Sequence, residues 1–169
     1  GPRRPERSGV RWEMIGLACV ASFIAYILRI NMSVAGEALA DDLRFSRVQL
    51  GMVLGAFAWG YALFQFPGGL LGDRLGARRA LTLVVAAWGV CNLLPGVLPG
   101  AAVLPPLALV GLLAMLRFLM GAAQAPLFPI VGGATIRLWF PVSAWGLPNA
   151  VTNAGAAFGS AAAGPLIGW

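Results

Sequence analysis

The sequence predicts an all-α membrane protein, a bundle of transmembrane helices. Hydrophobic residues make up 59% of its 169 residues and charged residues only 11%, and the mean hydropathy is +0.82. A soluble core of this length does not need so much apolar surface. The apolar residues are also grouped into long segments, and about 20 such residues are enough for an α-helix to cross the hydrocarbon layer.

Five segments of this kind define the predicted helices, and the links between them are polar or rich in Pro and Gly. We predict a cytoplasmic N-terminal tail at 1–11, whose opening Gly-Pro resembles the scar of a cleaved tag, and a transmembrane bundle at 12–169. The predicted helices 1 to 5 cover residues 12–36, 49–71, 79–97, 107–130 and 144–167.

Each predicted helix is justified by its segment and by the links beside it. Helix 1 is longer than the apolar core of a signal peptide and no small-residue cleavage site follows it, so we expect it to be retained. A charged link at 37–48 separates it from helix 2, and a second at 72–78 separates helix 2 from helix 3. Pro and Gly at 95–106 precede helix 4, whose end is blurred by Pro126 and Pro129, and a short Pro-containing link precedes helix 5.

The distribution of Arg predicts the orientation in the membrane. All twelve basic residues are Arg, and the sequence has no Lys and no His. With the N-terminus inside, eight Arg lie in inner segments and two, Arg44 and Arg47, lie in outer ones. Basic residues concentrate on the cytoplasmic side of multi-pass proteins, so the N-terminus is predicted to be cytoplasmic.

The same composition argues against several other classes of protein. No basic stripe interleaves with aromatic residues, so no nucleic acid is expected as a partner despite the net charge of +6. Cys19 and Cys91 lie inside predicted helices as small buried hydrophobes, and without His we expect no metal site. There is no nucleophile with a base, no buried carboxylate pair and no phosphate-binding loop, so we predict neither an enzyme nor a cofactor.

The most unusual segment is the charged seam between helices 2 and 3. Gly76 permits a tight turn, and Asp73 can accept hydrogen bonds from a helix start or from an Arg. A generic positively charged loop is the plainer alternative. The seam contains Gly69, Leu71, Asp73, Arg74, Gly76, Arg78 and Arg79. These residues resemble the pattern G-x-L-x-D-R-x-G-x-R-R between helices 2 and 3 of the major facilitator superfamily. The resemblance implies that they gate transport by tying two halves of a transporter together on the inside.

Two Arg residues lie within predicted helices, Arg29 in helix 1 and Arg117 in helix 4. A charge at mid-membrane costs at least ~2.5–3.5 kcal/mol on insertion scales, so it usually faces a cavity or a partner. No acidic residue lies inside a span to pair with either one, which implies an anion between them. The guanidinium fork suits a carboxylate because it can bind both oxygens. Arg29 could instead extend to the outer interface, about 26 Å along helix 1.

Three segments around these residues extend the resemblance to one branch of the superfamily. Residues 26–35, 61–69 and 117–129 are similar to the anion:cation symporter branch of the superfamily, which includes sialin, the vesicular glutamate transporters and bacterial sugar-acid and phthalate permeases. The resemblance implies a secondary active transporter in a bacterial inner membrane, in which Arg29 recognises a substrate carboxylate. It implies that Arg117 and a nearby acidic residue couple transport to protons. It also implies a two-half major facilitator fold, of which this chain would be part of the N-terminal half and would lack the C-terminal half.

Position 124 departs from that pattern, because this branch commonly has Glu where the sequence has Gln124. Arg117 and Gln124 share a helix face, since seven residues make nearly two turns, and we assign both to the coupling centre. Gln cannot take up a proton. Either this protein does not couple protons there, or the Gln replaces a Glu and mimics its protonated form. A Gln that only holds a hydrogen bond in a cavity is the structural alternative.

Four further polar residues are candidates for substrate contact. Tyr26 lies one turn before Arg29 on the same face, and Tyr61 lies in the middle of helix 2. Asn149 and Asn153 are four residues apart on one face of helix 5. The alternative is that these side chains only form hydrogen bonds between helices, each worth ~0.6 kcal/mol on average.

Small residues indicate where helices approach closely. Gly51 and Gly55 in helix 2, and Gly155 and Gly159 in helix 5, form pairs of small residues four positions apart. Such pairs let helix backbones touch in membranes. We therefore expect close helix contacts at both pairs.

Taken with the resemblance, these features predict a transporter of an organic anion, coupled to a proton or another cation. The candidate substrates are a sugar acid, an aromatic acid, a dicarboxylate and an acidic amino acid. An organic-anion uniporter or exchanger without proton coupling is the alternative within this class. A channel would need a charged ring or a filter loop, and a membrane scaffold or receptor would not need two Arg without partners in the bilayer.

Overall fold

The computed structural model describes residues 9–97 and 104–167, and within these ranges it contains helices and no strand. The predicted all-α class is confirmed. Most of the predicted N-terminal tail lies outside the described residues. The long helices are α1 Val10–Asp42, α2 Arg47–Leu75, α3 Ala77–Val97, α4 Pro106–Gln124 and α5 Gly146–Ile167.

Four segments are long and apolar enough to cross a membrane. They are Val10–Ile30, Arg47–Leu75, Ala77–Leu94 and Pro106–Trp139. Large apolar side chains such as Phe66 and Leu107 project outward from them, with 77% and 78% of their surface exposed. Such a surface is typical of a face that contacts a membrane or another part of a protein. The fifth predicted span is α5, which is not among those four segments; its sequence includes two Asn and two Pro residues.

The charged links are shorter than the sequence suggested, because the helices continue into them. Helix α1 extends to Asp42 instead of ending near residue 36. Helix α2 extends to Leu75, so the predicted link at 72–78 reduces to a turn at Gly76. Loss of hydropathy marks where a helix leaves the membrane, whereas its backbone hydrogen bonds can continue into water.

Local sequence accounts for both ends of α2. Ser46 and Gln49 form a capping box at its start: Ser46 N–H donates to Gln49 Oε1 over 2.8 Å, and Gln49 N–H donates to Ser46 Oγ over 3.2 Å. This arrangement satisfies two backbone donors that a helix start leaves free. At the other end Gly76 has φ +76°, a conformation that favours glycine because it has no Cβ.

The chain beyond α4 remains helical but changes its hydrogen-bonding pattern. Leu127–Pro129 forms one α-turn, Ile130–Ile136 a π-helix and Arg137–Trp139 a further α-turn. Pro126 and Pro129 lack the backbone donors that a regular helix would use. The predicted end at 130 is therefore an irregular region within a longer helical segment. A 3₁₀ turn at Val142–Ala144 then leads into α5.

Helices α2 and α4 run parallel and in close contact. A Cβ built on Gly60 would collide with the Phe118 carbonyl oxygen, and one built on Gly121 would collide with that of Phe57. Each helix therefore places a glycine against the backbone of the other. This reciprocal contact fixes how closely the two helices approach.

Helices α1 and α5 form the second close pair, also parallel. A Cβ on Gly155 would meet the Cys19 backbone, and one on Gly159 the Phe23 backbone. The close contact expected at Gly155 and Gly159 is therefore present. At Gly51 and Gly55 an added Cβ would have no neighbour within 4 Å among the described residues, so the expectation of a close contact there is wrong for this part of the molecule.

A buried apolar cluster joins α1, α3 and the segment beyond α4. Its largest members include Trp88 of α3, Ile15 of α1 and Phe140, which follows the segment beyond α4. Helix α3 itself packs mainly against α4. The cluster lies toward the start of α1 and leaves the other end of the bundle to the charged and aromatic residues described next.

Candidate functional site

The guanidinium of Arg29 lies among three aromatic rings. Its Cζ is 5.5 Å from the ring centroid of Tyr26, 4.9 Å from that of Phe57 and 4.9 Å from that of Tyr61. Tyr26 belongs to the same helix, while Phe57 and Tyr61 face it from α2. The structure therefore brings together three of the predicted substrate residues, Arg29, Tyr26 and Tyr61.

The rings restrict where the Arg29 side chain can lie. The Phe57 and Tyr61 rings are stacked, with centroids 6.0 Å apart and planes 21° from parallel. The Tyr26 ring packs edge-on against Phe128, 6.2 Å away. Cation–π attraction holds a guanidinium near aromatic faces without consuming its N–H donors. Arg29 is thus held among the rings by contacts that do not themselves use its five N–H donors.

Phe57 was not predicted as a site residue. It is buried, with 7% of its surface exposed, and it lies one helical turn before Tyr61. In the sequence it is an ordinary apolar residue of a membrane helix. Its spacing of four from a polar aromatic residue was the one available signal.

Among the side chains that the structure describes, no carboxylate forms an ion pair with Arg29. The chain has six acidic residues, and all of them lie at or beyond the ends of the apolar segments. Glu13 precedes Arg29 by about 24 Å along the helix axis. The side chains that contact this guanidinium in the described structure are aromatic rings. The positive charge is therefore available to a bound anion.

Arg117 and Gln124 share a face of α4, as predicted, but their side chains bond to different partners. Arg117 Nη1 donates to the Met120 sulfur at 3.7 Å. Gln124 is buried, with 4% of its surface exposed, and its Nε2 donates to the Ala25 carbonyl oxygen at 3.3 Å. This bond connects α4 to α1 one turn before Arg29.

Asn149 and Asn153 are not brought to the Arg29 site. Because α1 and α5 are parallel and Gly155 lies beside Cys19, Asn153 is level with about residue 17 of α1. That level is roughly 18 Å along the axis from Arg29. Both Asn side chains are exposed, and Asn149 Nδ2 donates to the Trp145 carbonyl oxygen at 2.8 Å.

The predicted gating residues occupy the α2–α3 turn and the end of α2. Asp73, Arg74, Arg78 and Arg79 are all exposed there, and the turn itself is made by Gly76. Gly69 lies one turn before Asp73, where an added Cβ would be 3.4 Å from the Pro129 side chain. Asp73 and Gly69 border an open recess of about 510 Å³. The charges of the seam are thus presented outward rather than paired within a buried contact.

In the ranges 9–97 and 104–167 no group of three or more His, Cys, Asp or Glu residues could hold a metal ion. Cys19 and Cys91 are both free thiols.

Comparison with known proteins identifies the family. Residues 17–169 match the sequence profile of the Major Facilitator Superfamily. The chain is 33% identical over 168 residues to a probable galactarate/D-glucarate transporter of Bacillus subtilis, covering 97% of this chain and 35% of that protein. It is 31% identical over 160 residues to a probable galactarate/D-glucarate transporter of Escherichia coli, covering 94% and 35%.

A third relative has a different organic anion in its name. The chain is 33% identical over 162 residues to a probable sulfoacetate transporter of Cupriavidus necator, covering 96% of this chain and 35% of that protein. The chain spans about a third of the length of these curated relatives. All three relatives are named as probable transporters, and the helical, apolar structure agrees with an integral membrane protein. The chain belongs to the major facilitator superfamily.

Proposed function

We propose that this chain forms the N-terminal part of a secondary active transporter that moves an organic anion by alternating access. The observation that carries the proposal is the Arg29 guanidinium, which lies between aromatic rings of α1 and α2 and forms no ion pair with the described side chains. The names of three relatives support an organic anion as the substrate.

Sugar acids are the leading substrate candidates. In this proposal Arg29 binds one carboxylate through two parallel hydrogen bonds, and the hydroxyls of Tyr26 and Tyr61 bond to hydroxyls of the sugar-acid chain. Asn149 and Asn153 would reach a substrate only in a state where it lies nearer the start of α1. The other wall of the binding site comes from the C-terminal half of the transporter.

Uptake by the full-length protein in proteoliposomes tests this function. We expect saturable uptake of labelled D-glucarate that excess galactarate inhibits and the uncharged polyol galactitol does not. Flux that rises linearly with concentration would instead favour a channel. Binding without flux would favour a membrane receptor or scaffold.

We also propose that Arg117 and Gln124 form the coupling centre. The Gln124 amide donates to the Ala25 carbonyl oxygen and so ties α4 to the helix that carries Arg29. A protonated Glu at this position could donate in the same way, whereas an ionised one would face the carbonyl oxygen with no proton between them. The α1–α4 contact would then depend on protonation. With Gln the contact is independent of pH, so coupling to protons at this centre requires Glu at position 124.

The substitution Gln124→Glu is therefore expected to make uptake respond to an imposed pH gradient. Uptake by the full-length variant in proteoliposomes should rise when the outside is acidified, while the unmodified protein should respond little. Gln49→Glu is the matched control, because a capping box accepts Glu as well as Gln. If a pH gradient drives uptake equally with Gln or Glu at 124, this residue is not the coupling site.

We propose further that the N-terminus and the α2–α3 turn lie in the cytoplasm, with Asp73, Arg78 and Arg79 gating the inner side. The support is the eight-to-two distribution of Arg and the outward exposure of the seam charges. Charge-assisted bonds from these groups to the second half would stabilise one access state.

Thiol labelling tests this arrangement in a background lacking Cys19 and Cys91. We expect Ala77→Cys to react only with a reagent admitted to the inside, and Val48→Cys, which is exposed beside the α1–α2 link, to react from outside. Saturating substrate should change the two labelling rates in opposite directions, since only one side is open at a time. Labelling of both cysteines from outside would refute the orientation, and rates insensitive to substrate would refute the gating role.

A further inference from the structure

Phe57 places an apolar ring directly against the charge of Arg29. The Arg29 Cζ lies over the Phe57 ring at 4.9 Å from its centroid, as close as it lies to the ring of Tyr61. Tyr61 carries a hydroxyl that can bond to a substrate, whereas the Phe57 side chain has no hydrogen-bonding group. Any effect of Phe57 on this site therefore comes from its ring.

The Phe57 ring is held in place by this chain itself. Only 7% of the residue is exposed, so the helices described above already bury it without the second half of the transporter. Its ring stacks on that of Tyr61. Its carbonyl oxygen lies where a Cβ on Gly121 would collide, so close packing against α4 fixes the α2 backbone at this residue. The ring is thus anchored before any ligand binds.

A fixed ring beside Arg29 favours anion binding by restricting the side chain in advance. Arg has several rotatable bonds, and ordering such a side chain during binding reduces the affinity. The electron-rich face of an aromatic ring attracts a guanidinium, most strongly where water is excluded. An anion that binds at the edge of the guanidinium does not displace a ring that lies on its face. The ring contact and the bound anion are therefore compatible.

We infer that Phe57 is a positioning residue of the anion site, and that the electron density of its ring face contributes to the affinity for the anion. The inference rests on the proposed function of Arg29 and adds to it a residue that does not hydrogen-bond to the substrate. It differs from a space-filling role in one respect. A space-filling ring could lose electron density without consequence, provided that its size stayed the same.

Fluorinated phenylalanines at position 57 of the full-length protein separate these two roles. Each fluorine withdraws electron density from the ring face and changes the ring size little, so the attraction to a cation weakens stepwise. We expect the affinity for D-glucarate, measured by isothermal titration, to fall progressively with one, two and three fluorines. The total fall should be roughly 3- to 30-fold, the equivalent of ~0.7–2 kcal/mol, while the Tm stays constant. The same series at Phe66, an exposed ring of the same helix, is the control and should leave the affinity unaltered.

Fluorine NMR tests the contact without any ligand. The signal of para-fluorophenylalanine at position 57 should shift when Arg29→Gln removes the charge, whereas the signal of the same probe at position 66 should not. An unchanged signal at position 57, an affinity that does not vary with the number of fluorines, or equal losses at both positions would overturn the inference. Failure of the unmodified protein to bind D-glucarate would instead contradict the proposed function, and the NMR comparison would still decide whether Phe57 contacts the Arg29 charge.

Discussion

Replacing Arg29 with Lys is expected to lower the affinity of the full-length protein for D-glucarate by roughly 10- to 100-fold, although the charge is retained. Hydrogen bonds to charged groups contribute ~1.5–3 kcal/mol each, and Lys cannot donate two parallel bonds to a carboxylate. The three rings around Arg29 also fit a flat guanidinium better than a compact ammonium. Isothermal titration of purified protein measures the change.

The matched control for this prediction is Arg47→Lys, at an exposed residue where α2 begins. It makes the same chemical change outside the site and should leave the affinity unaltered. Equal affinities for Arg29→Lys and the unmodified protein would show that Arg29 does not anchor a carboxylate. An equal loss in both variants would point to a general electrostatic effect.

Replacing Gly121 with Ala is expected to destabilise the full-length protein and to weaken substrate binding. The new methyl group would collide with the Phe57 carbonyl oxygen and lie 2.9 Å from the Tyr61 nitrogen. Overpacking of this kind costs ~1–3 kcal/mol, so we expect the Tm of the variant to fall. Phe57 and Tyr61 flank Arg29, so separating α2 from α4 also disturbs the site. Thermal unfolding in detergent and substrate titration measure the two effects.

Gly111→Ala is the matched control, because it is the same change in the same helix and the added Cβ has no neighbour within 4 Å among the described residues. It should leave Tm unchanged or raise it slightly, since Ala favours a helix over Gly. If both variants unfold at the same temperature, the contact between α2 and α4 is looser than the structure describes.

Hydropathy and residue spacing were enough to predict the helices and the neighbourhood of some residues of the candidate site around Arg29. The neighbourhood of Tyr26 and Arg29 follows from their spacing of three on one helix, and the turn at Gly76 follows from the freedom of glycine at positive φ. Phe57 could not be identified, because an apolar ring in a membrane helix gives no signal until the helix facing it is known. For the same reason, no contact between side chains of two different helices can be identified from the sequence pattern alone.

Small-residue spacing shows that a helix can be approached but not which helix approaches it. Gly155 and Gly159 meet α1, whereas Gly51 and Gly55 have no neighbour in the described residues. Asn149 and Asn153 share a helix face, but this does not tell how far they lie from Arg29. Their distance depends on how α5 is aligned along α1. That alignment is set by contacts of α5 glycines with the α1 backbone, and the periodicity of the sequence carries no information about it.

The two glycine-packed helix pairs meet at an interface that divides the bundle. Helix α1 is attached to α5 and α2 to α4, whereas direct contacts between α1 and α2 are sparse. Arg29 lies on one side of this interface, and the Phe57 and Tyr61 rings that contact it lie on the other side. A slip of α1 by one residue, about 1.5 Å, would displace the guanidinium relative to the Phe57 and Tyr61 rings. If an anion binds at Arg29 as we propose, it therefore couples the positions of the two helix pairs.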